Sequence, residues 1–269
     1  MSAGRAATDP EAAAWAVLTH GATDPSVTKR AQALAALGTI GPLPRAAQLV
    51  EAGLSDKDWS VRQAAAASLG VMGSTSSIPK LRQALQDETP DVSFTAAKSL
   101  WEMGDRSGRD VFLEILAGER SDSPGLVRGA MRDAKAKFHN RSGLALMGVK
   151  EGAGYALGPF AIGVTLLEDA LKDSTATARA LSAGLLGTDT DPQSFQQLGE
   201  ALGDKNWIVR AAAAKALGAR SDKTVIPKLQ ARLEDDKDPV RYMAAASIIR
   251  LSIPKAKPRP LRRAPRKKR

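Results

Sequence analysis

Apolar positions along this chain recur at helical spacing, and the blocks they form then recur in turn. In the stretch 56–70, Val61, Ala65 and Leu69 fall at i, i+4 and i+8 with Ala64 beside them. That spacing is one apolar stripe on an α-helix. Asp56, Asp58 and Ser60 stand ahead of it, residue types whose side-chain oxygens accept from the free amides at a helix start. Gly70 and Gly73 predict its end. Ile78-Pro79 then opens a second helix, with proline in the first turn where its missing N–H leaves no bond unmade. Leu81 and Leu85 give that helix its apolar side, and Asp87 closes the unit. Because the stripe is rich in alanine, neighbouring helices are expected to approach closely.

The block Asp56–Gly70 returns as Asp204–Gly218, 148 residues later. The match continues without a gap, Ile78-Pro79-Lys80-Leu81 against Ile226-Pro227-Lys228-Leu229, and Asp87 against Asp235. Inside each copy a shorter period of 31 residues relates Val61 to Val92 and Val209 to Val240. Self-similarity at a fixed period is the mark of a solenoid, whose units bury their apolar faces against one another.

The pattern Asp-x-x-x-x-Val-Arg-x-Ala-Ala-x-x-x-Leu-Gly, followed by Ile-Pro-x-Leu-x-x-x-Leu-x-Asp, resembles the short bacterial HEAT repeat. This is the type also found in the HEAT-like proteins named after phycobilisome lyases. The resemblance covers most of 24–119 and 174–251. It implies an all-α HEAT-type α-solenoid, a superhelix of antiparallel helix pairs, here with a helical insertion. Asp56, Arg62, Asp87, Asp204, Arg210, Asp235 and Arg241 are read as structural residues tying successive units together. The Val-Arg pair becomes Val92-Ser93 in one unit and Thr175-Ala176 in another, so no unbroken arginine ladder is expected.

Five segments follow from the pattern. Residues 1–22 form an N-terminal cap helix with Trp15 on its apolar side. Residues 23–119 and 173–252 are HEAT-type repeats, and 120–172 are a helical, glycine-rich insertion. Residues 253–269 are a disordered basic tail, where Pro254, Pro258, Pro260 and Pro265 exclude helix. Within the insertion, 143–167 carries six glycines and two Gly-x-x-x-Gly spacings. Its charge-free run from Gly152 to Leu167 is shorter than the ~20 residues a spanning helix needs, so an apolar hairpin packed on the solenoid is expected and no transmembrane span.

Charge changes the picture only at one end. The net charge is +10, but nine of the 39 Lys and Arg lie in 255–269 with no acid among them. The remaining 30 face 29 acidic residues, so the repeat body is near neutral. Lys255, Lys257, Arg259, Arg262, Arg263, Arg266, Lys267, Lys268 and Arg269 are therefore the candidate polyanion-binding residues. No cysteine is present and only two histidines, His20 and His139, neither followed by glutamate. Iron-dependent hydroxylases on HEAT-like repeats use repeated His-Glu pairs, and this chain has none. Nor does it contain a phosphate-binding glycine loop or a nucleophile elbow. The sequence thus predicts no enzyme, no cofactor and no metal.

Trp59 and Trp207 start equivalent helices, and each reads as a partner anchor or, more simply, as packing over the preceding turn. Gly154, Tyr155 and Phe160 are the corresponding candidates in the insertion. The function expected is a noncatalytic scaffold that binds a protein partner along a repeat surface. A nucleic-acid- or ribosome-associated protein using the basic tail is the alternative, with an accessory, lyase-like factor for chromophore attachment as the third reading. A monomer in the cytoplasm is expected, since the N-terminus has no apolar signal core; a signal removed earlier would leave no trace.

Overall fold

The structure, a computed structural model, describes residues 9–117, 174–220 and 222–254. Among these residues it is all helical: α1 Pro10–Ala22, α2 Val27–Gly38, α3 Pro44–Gly53, α4 Trp59–Met72, α5 Ile78–Ala84, α6 Pro90–Glu102 and α7 Arg109–Ala117. The second part contributes α8 Ser174–Leu186, α9 Pro192–Ala201, α10 Trp207–Ala219, α11 Ile226–Gln230 and α12 Asp238–Ser252. Polar residues before the helices act as the sequence predicts. Asp58 accepts from the Ser60 amide at 2.9 Å and Asn206 from the Ile208 amide at 2.9 Å. Gly73 ends α4 in the left-handed conformation, φ 66°, which glycine adopts without strain. Gly70 lies inside that helix, one turn earlier than its end.

The first helices of successive units, α2, α4 and α6 in one part and α8, α10 and α12 in the other, pack side by side. Two second helices lie between consecutive first helices, α3 between α2 and α4 and α9 between α8 and α10. Small residues set the spacing. A β-carbon added to Gly70 would stand 2.7 Å from the β-carbon of Ser99, and one added to Gly218 only 2.5 Å from that of Ser247. Gly38 meets Ser68 and Gly187 meets Ala216 in the same way. The serines also bond across the contact: Ser99 Oγ donates to the Ala66 carbonyl at 2.9 Å and Ser247 Oγ to that of Ala214 at 2.8 Å.

The first and last described helices meet in the middle of this stack. The final helix α12 has no second helix after it in the described chain, and α1 takes that place, packed between α12 and α2. Gly21 of α1 is so close to Tyr242 of α12 that an added β-carbon would stand 2.6 Å from the ring, and 2.9 Å from Ala33 of α2. Ala14, Trp15 and Leu18 are buried there. Lys29 lies 3.5 Å from Asp24 and 3.8 Å from Asp238, bridging the joint, while Arg250 Nη1 donates to the Thr39 carbonyl at 3.3 Å. The order of first helices is therefore α8, α10, α12, α2, α4, α6. The N-terminal helix, read from sequence as a cap, is not at an end of the stack but the inner half of a central unit. A signal for this was present: Leu18 precedes Asp24 by six residues, as Val50 precedes Asp56 and Leu81 precedes Asp87. The insertion, including 143–167, and the basic tail lie outside the described residues.

A substitution at this joint tests the arrangement. Leu18→Asp places an unpartnered carboxylate at a fully buried site and is expected to cost several kcal/mol, comparable to Val61→Asp. Lys57→Asp, on an exposed turn, should change stability by no more than about 0.5 kcal/mol. Denaturant titration of the three variants measures this; a Leu18→Asp midpoint matching that of Lys57→Asp would show α1 to be a peripheral cap.

Candidate partner-binding surface

Arginines in the second turn of the first helices form clasps that hold one unit to the next. Arg62 Nε donates to Asp87 Oδ2 at 2.7 Å and Nη2 to Oδ1 at 2.9 Å. Arg210 grips Asp235 at 2.9 and 2.7 Å, Arg30 grips Asp56 at 2.7 and 2.8 Å, and Arg179 grips Asp204 at 3.0 and 3.2 Å. Arginine Nη1 turns back to the carbonyl of the preceding aspartate, 3.1 Å from Arg62 to Asp56 and 3.0 Å from Arg210 to Asp204. Each aspartate further accepts from an amide two residues on, as Asp87 does from Thr89 at 2.8 Å. Burial pushes the Asp87 and Asp235 carboxyls up, but the paired arginines and these amides outweigh it and hold both below the ordinary carboxylate range. Hydrogen bonds to Asp87 and Asp235 raise Arg62 and Arg210 in turn. Bidentate geometry of this kind is specific to arginine.

Three details differ from the sequence reading. Arg30 and Arg179 belong to the set. The arginine of α8 is Arg179, three residues beyond the place where the sequence register put Ala176. Arg241 pairs with Asp238 of its own helix, and among the described residues no second helix follows it to supply an aspartate. Ser93, where an arginine would stand in α6, donates instead to the Pro90 carbonyl at 3.0 Å.

Of the two repeated tryptophans, Trp59 is 46% exposed, whereas Trp207 is half-buried against the core. Gly154, Tyr155, Phe160 and the nine basic tail residues lie outside the described residues. A third tryptophan makes the more distinctive surface. In α2, α4, α8 and α10 a leucine is followed by the close-contact glycine: Leu37-Gly38, Leu69-Gly70, Leu186-Gly187 and Leu217-Gly218. In α6 the same place holds Leu100-Trp101. Trp101 is 43% exposed, with the Arg106 guanidinium 3.7 Å from its ring centroid and Phe112 edge-on at 5.7 Å. Phe94 completes the group against Phe112 at 5.6 Å. Leu113 and Leu116 continue it along α7, Leu116 being 85% exposed. The sequence reading does not include this aromatic face; its signal is the replacement of a repeated glycine by Trp101. At the base of the face, Asp105 is held down to about 2 by bonds from Ser107 and Arg82.

At the opposite end of the stack, α8 and α9 flank an open groove of about 510 Å³. Ser182, Ala183, Leu198, Ala201 and the Arg179–Asp204 clasp line it. Among the described residues no cluster of His, Asp and Glu is arranged to hold a metal, and no helix is long and apolar enough to cross a membrane.

The profile of the family described as HEAT repeats matches residues 49–134 and 164–249. No curated protein matches the chain. Among solved structures, a human deoxyhypusine hydroxylase in complex with glycerol is 21% identical, with 90% of this chain and 96% of that one covered and a TM-score of 0.33. The complex of CpcE and CpcF of phycocyanin lyase from Nostoc sp. PCC7120 is 20% identical, with 93% and 97% covered and a TM-score of 0.35. These neighbours correct one expectation. Both bear the names of enzymes, a hydroxylase and a lyase, so the inference that a chain of this type is not an enzyme is withdrawn.

The clasps carry a stability prediction. Arg210→Ala removes both guanidinium bonds to the Asp235 carboxylate, whose side chain is 2% exposed, leaves it Arg232 at 3.5 Å and the Lys237 amide, and is expected to cost about 3 kcal/mol. Carboxyls held low in the folded state stabilise it above the unfolded value near 3.9, and that stability is lost as pH falls through the lower folded values. Melting temperature should thus fall below about pH 4 in the wild type, and less steeply in Arg210→Ala. Parallel acid profiles for the two proteins would count against the clasps.

Proposed function

This chain belongs to the HEAT-repeat family, and from that premise we propose that it is a scaffold that binds a protein partner, with the α6–α7 end face as the anchoring surface. What supports the reading is Trp101, a large aromatic standing where the other first helices carry glycine, or isoleucine in the case of Ile249 of α12. A large ring stands there in place of the small residue, and it is partly open to solvent. Tryptophan and arginine are the residues most often found at the energetic centre of interfaces, and here Arg106 lies on the tryptophan ring. Leu113 and Leu116 extend the apolar area around them. The partner expected is a segment with an apolar side chain for the Trp101–Phe112 corner and an acidic one for Arg106.

The test compares proteins retained from lysate by the wild type and by Trp101→Ala, followed by titration with the purified protein whose retention differs. Dissociation constants are expected to rise roughly 30-fold, the equivalent of a hot spot of about 2 kcal/mol, with the melting temperature unchanged. A partner retained equally by both proteins would place recognition elsewhere, with exposed Trp59 the next residue to change.

A second reading has its own observation, the nine positive charges of 255–269 on an otherwise near-neutral chain. Such a segment contacts phosphates with an affinity that falls steeply with salt. Deleting 255–269 should abolish salt-sensitive retention on heparin while leaving helix content unaltered. Unchanged retention would move the polyanion site into the repeats. The third reading, assistance in chromophore attachment, has the repeat type alone in its favour.

A further inference from the structure

In the internal junctions, the glycine near the end of one first helix meets a small residue two places before the same site of the next. Gly38 meets Ser68, Gly70 meets Ser99, Gly187 meets Ala216 and Gly218 meets Ser247. The two ends of the described stack each present half of this contact. At the α6 end the glycine place holds Trp101, 43% exposed. At the α8 end the opposing place, two before Gly187, holds Leu185, 60% exposed. Terminal units of a solenoid ordinarily turn a polar face outward, whereas here the contact position is apolar at both ends. We propose that the partner of the α6–α7 face is a second copy of this chain, docked head to tail through its α8 end. The inference rests on the α6–α7 face being the binding surface and names what occupies it.

Shape and charge agree with that occupant. Ser182 and Leu185 of α8 are exposed, whereas Ala65 and Ser68 at the same places of α4 are buried, as are Ala213 and Ala216 of α10. Where α3 packs on α4, a β-carbon added to Gly53 would stand 3.1 Å from that of Ala65. A docked α7 would take the position of α3, bringing exposed Leu113 and Leu116 to the open groove of about 510 Å³ beside Ser182. Arg250, next to Ile249 of α12, reaches the loop after α2 and donates to the Thr39 carbonyl at 3.3 Å. By the same relation Arg106 would face the loop after α8, where Asp189 and Asp191 are exposed. Those aspartates supply the acid, and Leu185 the apolar side chain, that the α6–α7 face requires. A large residue at the glycine place does not prevent a junction. Ile249 stands there in α12, fully buried, and α12 still packs on α2.

Such a contact is heterologous, so each docked copy still offers a free face and assembly continues to a ring or a filament. Sedimentation of the full chain from about 1 μM to about 1 mM should show the mass rising above that of one chain. Trp101→Asp spoils one face and Leu185→Asp the other. Each variant alone should associate roughly 30-fold or more weakly and sediment as a single chain. An equimolar mixture retains one intact face of each kind, and should form dimers and stop there. Both sites are exposed, so the melting temperatures should match the wild type. Trp101→Ser and Leu185→Ser repeat the test without a new charge. A wild type of single-chain mass at every concentration would overturn the proposal, as would variants that assemble like the wild type or a mixture that stays at one chain. A single-chain wild type with a lysate partner lost by Trp101→Ala and kept by Leu185→Asp would overturn the second copy alone, leaving the scaffold reading in place. Assembly that follows the variant pattern with no such partner would uphold the second copy alone.

Discussion

Everything in this molecule depends on how closely consecutive first helices approach. A glycine near the end of one helix meets a serine or alanine of the next, Gly38 with Ser68, Gly70 with Ser99, Gly187 with Ala216, Gly218 with Ser247. With no side chain between them the backbones come near enough for Ser99 and Ser247 to donate to carbonyls of the neighbouring helix. That distance in turn brings each arginine within bidentate reach of the aspartate at the start of the following unit. A larger residue at any of these places would part the helices and open the clasp as well. Packing and electrostatics are therefore one joint here, with alanine-rich stripes filling the thin layer between.

Because every unit touches only its neighbours, the stability of such a stack is close to a sum of units and junctions. The central junction is unusual in joining the first and last described helices. α12 has Ile249 where its neighbours have glycine, and it meets α1 and α2 through Tyr242, Met243 and the Lys29 bridge. This contact makes one continuous array from two sequence-related halves. It also places α7 and α8 at opposite ends of the described stack.

The ends of a solenoid are where its repeat logic stops constraining residues. Inner positions of the stack are explained by packing, and substitutions there change stability first. Trp101, Leu113 and Leu116 are largely exposed, and Trp101 departs from the repeat pattern at its own position. Residues that break a repeat without serving its packing are where a distinct role is to be sought. Among the clasp residues, Arg30, Arg62 and Arg210 are buried with their aspartates and present little to a partner.

The sequence by itself determined the units. Val61, Ala65 and Leu69 at helical spacing, proline at the start of the second helices, and the 148-residue copy fixed helix type, pairing and membership in the repeat class. These are local signals, because each unit's pattern is written within about 31 residues. Several clasp residues were legible for the same reason, although the mis-set register at Thr175-Ala176 hid Arg179, and Arg30 was hidden by the looseness of the first repeat. Only the tertiary structure decided how the units are ordered. Nothing local in α1 says that its partner lies some 230 residues away in α12, because a repeat presents nearly the same face to every other repeat. Exposure was likewise a tertiary outcome: Trp59 and Trp207 occupy matching positions in matching sequences, yet one is open to solvent and the other packs on the core. Where interchangeable faces compete, the chain ends and the surrounding units make the choice, and that information is not in the repeat.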